Sequence, residues 1–109
     1  MLKRIFNNKI VTKESYNKTV FIFKHSTRCA ISSLAKNRLE SDWAKYFNEK
    51  EVYFLDLLRF RELSNQVETQ LNIQHQSPQL IALESGKSVY KSSHLAISVK
   101  DLHQVLTEH

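Results

Sequence analysis

One cysteine, one proline and a serine three residues beyond the cysteine are the residues of this chain best suited to sulfur chemistry. Cys29 opens the tetrapeptide Cys29-Ala30-Ile31-Ser32, a C-x-x-S spacing. In C-x-x-C the second thiol resolves a mixed disulfide. A serine hydroxyl cannot, although Ser32 can hydrogen-bond a Cys29 thiolate. Cys29 falls where the apolar run Val20-Phe21-Ile22-Phe23 gives way to a helical pattern. The first N–H groups of a helix have no intrahelical partner and favour a thiolate. Arg28 is adjacent in sequence, and His25, when protonated, adds positive charge nearby. The competing reading is a small cysteine buried inertly in the core. Strand-to-helix loops usually lie at the surface, which weighs toward a reactive thiol.

An ordinary thiol, with a pKa near 8.5, is only about 3% thiolate at pH 7. A site that lowers the pKa to ~6 raises that fraction to about 90%. Nucleophilicity falls with pKa at a slope of about 0.4–0.5, so most of the gain for attack is cancelled. The gain for departure survives, because a stabilised thiolate leaves a mixed disulfide faster. The site reads as one that takes up a thiol adduct and hands it on.

Ser77-Pro78 stands immediately before the apolar run Leu80-Ile81-Ala82-Leu83. An X–Pro bond is cis at modest cost, and a native cis proline marks a fixed turn. The competing reading is a trans proline closing a loop. Of the five histidines, His25 lies near the cysteine in sequence, and His75 and His94 fall to the Pro78 side. His103 and His109 read as surface residues. Cys29 and His25 are too few ligands for a closed zinc site, and the other histidines lack ligand spacing, so no metal is expected. A Cys–His–Asp hydrolase is conceivable, but no feature of the sequence assembles an oxyanion hole.

These residues need a scaffold to meet. Val20–Phe23 and Val52–Leu55 are short and apolar throughout, as in strands buried on both faces. Between them Ile31, Leu34, Ala35, Leu39, Trp43, Tyr46 and Phe47 recur at helical spacing, with Lys36, Arg38, Glu40 and Lys45 mostly turned elsewhere. Leu63, Val67 and Leu71 predict a second helix, with Ser64 as its N-cap. Leu80–Leu83 and Ser88–Lys91 flank Glu84-Ser85-Gly86-Lys87, a hairpin turn with glycine where a positive φ is required. From Ser98, residues Val99, Leu102, Val105 and Leu106 predict a closing helix. In the less regular segment 1–19, Leu2, Ile5 and Phe6 are candidates for an edge strand, and Glu14 to Lys18 for a turn or short helix. The order βαβα-ββα predicts an α/β, thioredoxin-like fold, with a central mixed four-stranded sheet flanked by helices. In such folds a cis proline faces the active cysteine, and the residue before it holds substrate through its backbone like an added strand.

The 109 residues suffice for one domain, 1–109, and no linker or repeat divides them. No apolar stretch approaches the ~18 residues of a membrane span, and no secretory signal is legible. A lone cysteine in that setting predicts a cytoplasmic protein. Residues 1–36 carry eight Lys/Arg against one Glu, a net +7, and the remainder eight against ten acids, a net −2, together the +5 of the whole chain. The bland account is a solvated surface. The functional one is a basic field around Cys29 that attracts an anionic partner. No basic cluster interleaved with aromatics argues for nucleic acid, and such binding would show as steeply salt-dependent affinity.

The runs Phe23-Lys24-His25-Ser26-Thr27-Arg28-Cys29, Ile31-Ser32 and His75-Gln76-Ser77-Pro78-Gln79 resemble the bacillithiol system redox-active protein YtxJ family, the monothiol bacilliredoxins. The likeness continues at Val52–Asp56, Arg61, Ser64-Asn65 and Ser93-His94, and spans roughly residues 20–97. Ala30 stands where that family usually has proline, and Leu95 where an aromatic is common. The resemblance implies a thiol–disulfide oxidoreductase that removes bacillithiol from oxidised client proteins, with Cys29 as nucleophile. Arg28, Ser32 and His25 would stabilise the thiolate, and Lys24, Thr27, Ser77 and Pro78 would hold the substrate. Bacillithiol is then a co-substrate, no cofactor is tightly bound, and the discharging partner is free thiol or a reductase. The alternative is a thioredoxin-like binding module without turnover, either an iron–sulfur carrier or a protein-docking domain. Monothiol glutaredoxins carry clusters on a Cys-Gly-Phe-Ser loop, and this chain lacks that glycine.

Overall fold

The computed structural model describes residues 2–5, 13–26, 30–48, 50–56, 69, 73–74 and 76–107. Five strands are present: β1 (Leu2–Ile5), β2 (Val20–His25), β3 (Glu51–Asp56), β4 (Gln79–Glu84) and β5 (Lys87–Ser93). Helix α1 (Ala30–Tyr46) joins β2 to β3, and helix α2 (Val99–Thr107) closes the described chain. The sheet order is β1-β3-β2-β4-β5. The first three strands run parallel to one another, while β4 is antiparallel to both β2 and β5. The four central strands are those expected, and β1 adds a fifth at the edge. Phe6 and the expected helix over Leu63, Val67 and Leu71, with its Ser64 cap, lie outside the described residues.

Every residue of β2 is buried, because both of its faces are covered. Phe21, Phe23, Val52, Leu80 and Ala82 meet α1 and α2 on one face. Val20, Ile22, Tyr53, Leu55, Ile81 and Leu83 cluster with Ile73 on the other. Fully burying one such side chain contributes roughly 1.5–3 kcal/mol, so this two-sided strand anchors whatever follows its C-terminal end.

α1 departs from expectation in its first two turns. Its buried stripe is Ser32, Ala35, Leu39 and Trp43. Ile31 and Leu34 are instead 48% and 52% exposed. At 100° per residue, Leu34 points about 150° from the centre of that stripe, and a small polar residue occupies the core-facing place near the helix start. α2 begins as expected, with Ser98 Oγ accepting the Asp101 N–H at 3.2 Å as an N-cap.

The segment before β2 forms a single helical turn, with the Lys18 N–H donating to Glu14 O at 3.1 Å. This turn holds the β4–β5 hairpin. Ser15 O accepts the Ser85 N–H at 2.6 Å, and Ser15 Oγ accepts the Gly86 N–H at 2.8 Å. Ser85 and Gly86 have φ of 52° and 75°, the two-residue turn that matches the twist of the strands. A Cβ on Gly86 would lie 2.9 Å from the Tyr16 hydroxyl. Gly86→Ala is therefore expected to cost about 1–2 kcal/mol, mainly from the positive φ, since the exposed Tyr16 ring can swing aside. Urea denaturation checks this. Adding Tyr16→Ala should recover only the smaller, steric part.

Candidate active site

β2 ends at His25, and α1 begins at Ala30. Cys29 is the residue before that helix start in sequence, and it lies outside the described residues with Thr27 and Arg28. The surrounding frame is described. His25 is buried, its ring parallel to Phe23 with centroids 5.7 Å apart and edge-on to Phe54 at 5.6 Å. The aromatic contacts fix the imidazole on the α1 face of the sheet, where Asp56 of β3 is its cross-strand neighbour.

Ser32, in the first turn of α1, accepts a hydrogen bond from the Ser26 N–H at 3.3 Å. The bond spans the Thr27-Arg28-Cys29 segment, tying the end of β2 to the helix start. The hydroxyl proton of Ser32 finds no other partner among the described residues, so a thiolate acceptor is compatible with the bond it already makes. Ser32→Ala is expected to lower stability by about 1 kcal/mol, the ordinary worth of one such bond, read as a shifted urea midpoint with an unchanged slope.

A cleft of about 230 Å³ lies at this junction, lined by His25, Ser26, Ser32, Ser33 and Lys36. Ser33 and Lys36 were not singled out from the sequence. The signal was present, because Lys36 stands four residues from Ser32 and so one turn further along the same side of the helix. The Lys36 ammonium is 3.9 Å from Glu40, a loose pair that leaves it near the cleft rim.

Ser77–Pro78 is a cis peptide, immediately before β4. Gln79 opposes Lys24 in the β2–β4 ladder, so the proline adjoins the end of β2 that leads to the helix start. Pro78 O accepts the His94 N–H at 3.0 Å, which puts His94 on the proline side as expected. His75 lies outside the described residues, as does His109. His103 is not a free surface residue: its half-buried ring packs on Tyr46 at 5.3 Å and on Phe47 at 5.5 Å.

Lys24 is also placed differently from expectation. It is 1% exposed and shares a face of β2 with Val20 and Ile22, opposite His25. Its ammonium is not part of a solvated basic surface that could meet an adduct in the His25 cleft. Among the described residues, no group of three or more His, Cys, Asp or Glu side chains could hold a metal ion. No helix among them is long and apolar enough to cross a membrane.

A mixed sheet in which a cis proline adjoins the end of the strand that leads to a helix is the pattern of the thioredoxin fold, and solved structures agree. One described as a candidate oxidoreductase with a thioredoxin fold is 28% identical, covers 96% of this chain and 92% of its own, and superposes with a TM-score of 0.80. Thioredoxins from Malassezia sympodialis and Nicotiana alata share the fold at 14% and 17% identity, with TM-scores of 0.73 and 0.70. The alignments cover 100% and 99% of this chain and 90% of each of theirs. The family model described as "Monothiol bacilliredoxin BrxC" matches residues 2–102, and the chain belongs to that family.

Proposed function

We propose that the chain is a thiol–disulfide oxidoreductase that removes bacillithiol from protein mixed disulfides through Cys29. The observation that carries this reading is the family match over residues 2–102 in a chain whose single cysteine immediately precedes, in sequence, the first residue of α1. The Cys29 thiolate attacks the bacillithiol sulfur of a client mixed disulfide. A new S–S bond forms between Cys29 and bacillithiol, the old one breaks, and the client sulfur departs as a thiolate that takes a proton from water. A second thiolate, free bacillithiol or a dithiol reductase, then attacks the adduct and releases Cys29. Each step exchanges one disulfide for another, so the protein undergoes no net redox change over the cycle.

The frame supports these steps through His25, Ser32 and Lys36, whose polar groups line the cleft beside the helix start. Arg28 adds charge in sequence, and Ser77 and Pro78 offer backbone on the facing side. Clients are bacillithiolated proteins, and a cytoplasmic setting is where such a thiol pool would be used. Intact-mass analysis of the chain mixed with a bacillithiolated client tests the reading. The expected result is one bacillithiol gained by this chain for each one lost by the client. An unmodified chain beside an undiminished client adduct would overturn it.

A further inference from the structure

A second pocket, on the sheet face opposite His25, is not accounted for by the exchange steps. Its volume is about 250 Å³, and Gln74, Gln76, Gln79, Lys91, Ser92 and Ser93 supply its polar lining. Ile73 adds an apolar patch. The pocket flanks Ser77–Pro78 in sequence on both sides, through Gln76 and Gln79. Gln79 is only 3% exposed, and its Nε2 donates to Gln74 O at 3.3 Å. Its Oε1 is buried with no hydrogen-bond partner among the described residues, as are the hydroxyls of Ser77 and Ser92. Buried polar atoms are nearly always paired. Of these three, Gln79 Oε1 is the one in this lining and on this face, since Ser77 does not line the pocket and Ser92, opposite Leu80 in the ladder, turns its side chain to the α1 side. It marks a place built for a group from outside the fold.

The lining limits what those groups are. Amides and hydroxyls both donate and accept, which suits a ligand rich in alcohols. Among the described residues of the lining, the exposed Lys91 is the one cation and no side chain is acidic, which suits a carboxylate. Pockets for drug-sized ligands run to roughly 300–1,000 Å³, so this smaller one suits one ring and its substituent rather than a large organic molecule.

We propose that this pocket seats the sugar and carboxylate portion of the bacillithiol adduct, with the Gln79 amide on the sugar alcohols and Lys91 on a malate carboxylate. The ligand's identity rests on the dethiolation reading, whereas the pocket's preference for a hydroxylated carboxylate does not. The thiol end then extends past Ser77–Pro78 toward the helix start, and adduct recognition is separated from the chemistry by the proline turn.

The test uses S-methyl bacillithiol, which cannot exchange, titrated into the whole chain and followed by amide NMR. The expected result is a saturable shift of the Gln79 side-chain amide and of the Lys91–Ser93 backbone. Lys91→Glu, at an exposed position, should weaken that binding about tenfold, the scale of one charge-assisted contact. Gln79→Leu, which keeps the buried volume, should weaken it as well. Shifts confined to other residues, or an affinity unchanged in both variants, would overturn the proposal. Transfer from a bacillithiolated client is measured in parallel. Binding without any transfer would overturn the proposed function and leave the pocket standing. Transfer that proceeds equally fast from bacillithiolated and cysteine-capped clients, with no S-methyl bacillithiol bound, would overturn the pocket and leave the function.

Discussion

Cys29→Ser is expected to abolish bacillithiol transfer, with a fall of at least about 10³-fold in the rate at which client adduct disappears. The chain offers no substitute. It has no second cysteine, and its one methionine is a thioether that cannot ionise or form a disulfide. Serine hydroxyls such as Ser32 and Ser33 stay protonated at neutral pH and form no S–S bond, so their position beside the cleft does not rescue the reaction. The parent protein makes a sharper companion prediction. With one thiol it should release one equivalent of client per chain in a burst and then stop. A second equivalent should follow only when free bacillithiol or a dithiol is added. Quenched-flow samples analysed by mass would show both behaviours. A Cys29→Ser protein that retains more than a few per cent of the parent rate, or a parent that turns over without an added thiol, would remove Cys29 from the centre of the reaction.

The parts of this molecule legible in its sequence are those set by local pattern. β2 and β4 bury both faces, so their apolar runs were unambiguous, and the Ser85-Gly86 turn announced itself through the lone glycine. The position of Pro78 beside the end of β2 followed from the order of elements, because β4 begins just after Pro78 and pairs with β2, whereas Cys29 itself lies outside the described residues. Tertiary choices were less legible. Ile31 and Leu34 fit the apolar count of α1, yet the helix turns Ser32 inward and leaves those two exposed, because Leu39 and Trp43 fix its rotation further along. Lys24 looked like a surface cation from its place in a basic stretch. Alternation along β2 sends it to the face opposite His25, and composition alone carries no such parity. The pocket at Gln79 was invisible for a related reason. Its lining comes from β5 and from residues on both sides of Pro78, which are brought together only by the β4–β5 ladder.

Trp43→Ala should produce the largest loss of stability of any single change in the described core, about 3–5 kcal/mol. The indole is fully buried, edge-on to Phe21 at 4.9 Å and tilted on Phe47 at 4.6 Å. Its Nε1–H also donates to Lys50 O at 3.0 Å, which pins the loop between α1 and β3. Truncation removes the ring contacts, opens a cavity between helix and sheet, and frees that carbonyl. Domains of this size hold only about 5–15 kcal/mol in total, so the variant should be marginal, melting roughly 15–25 °C below the parent. Trp43→Phe separates the two contributions: it keeps most of the packing and loses the hydrogen bond, for about 2 kcal/mol. Circular dichroism is the right probe, since this is the chain's only tryptophan and its fluorescence goes with it. A Trp43→Ala melting point within about 5 °C of the parent would mean that α1 is not held by this contact. Catalysis should respond differently. Trp43 stands 13 residues beyond the first residue of α1, about 20 Å along its axis at 1.5 Å per residue. At a temperature where the variant is still folded, bacillithiol transfer should therefore stay within a few-fold of the parent rate. A collapse of transfer in the folded variant would show instead that the rotation of the whole helix, set at Trp43, governs how Cys29 is presented.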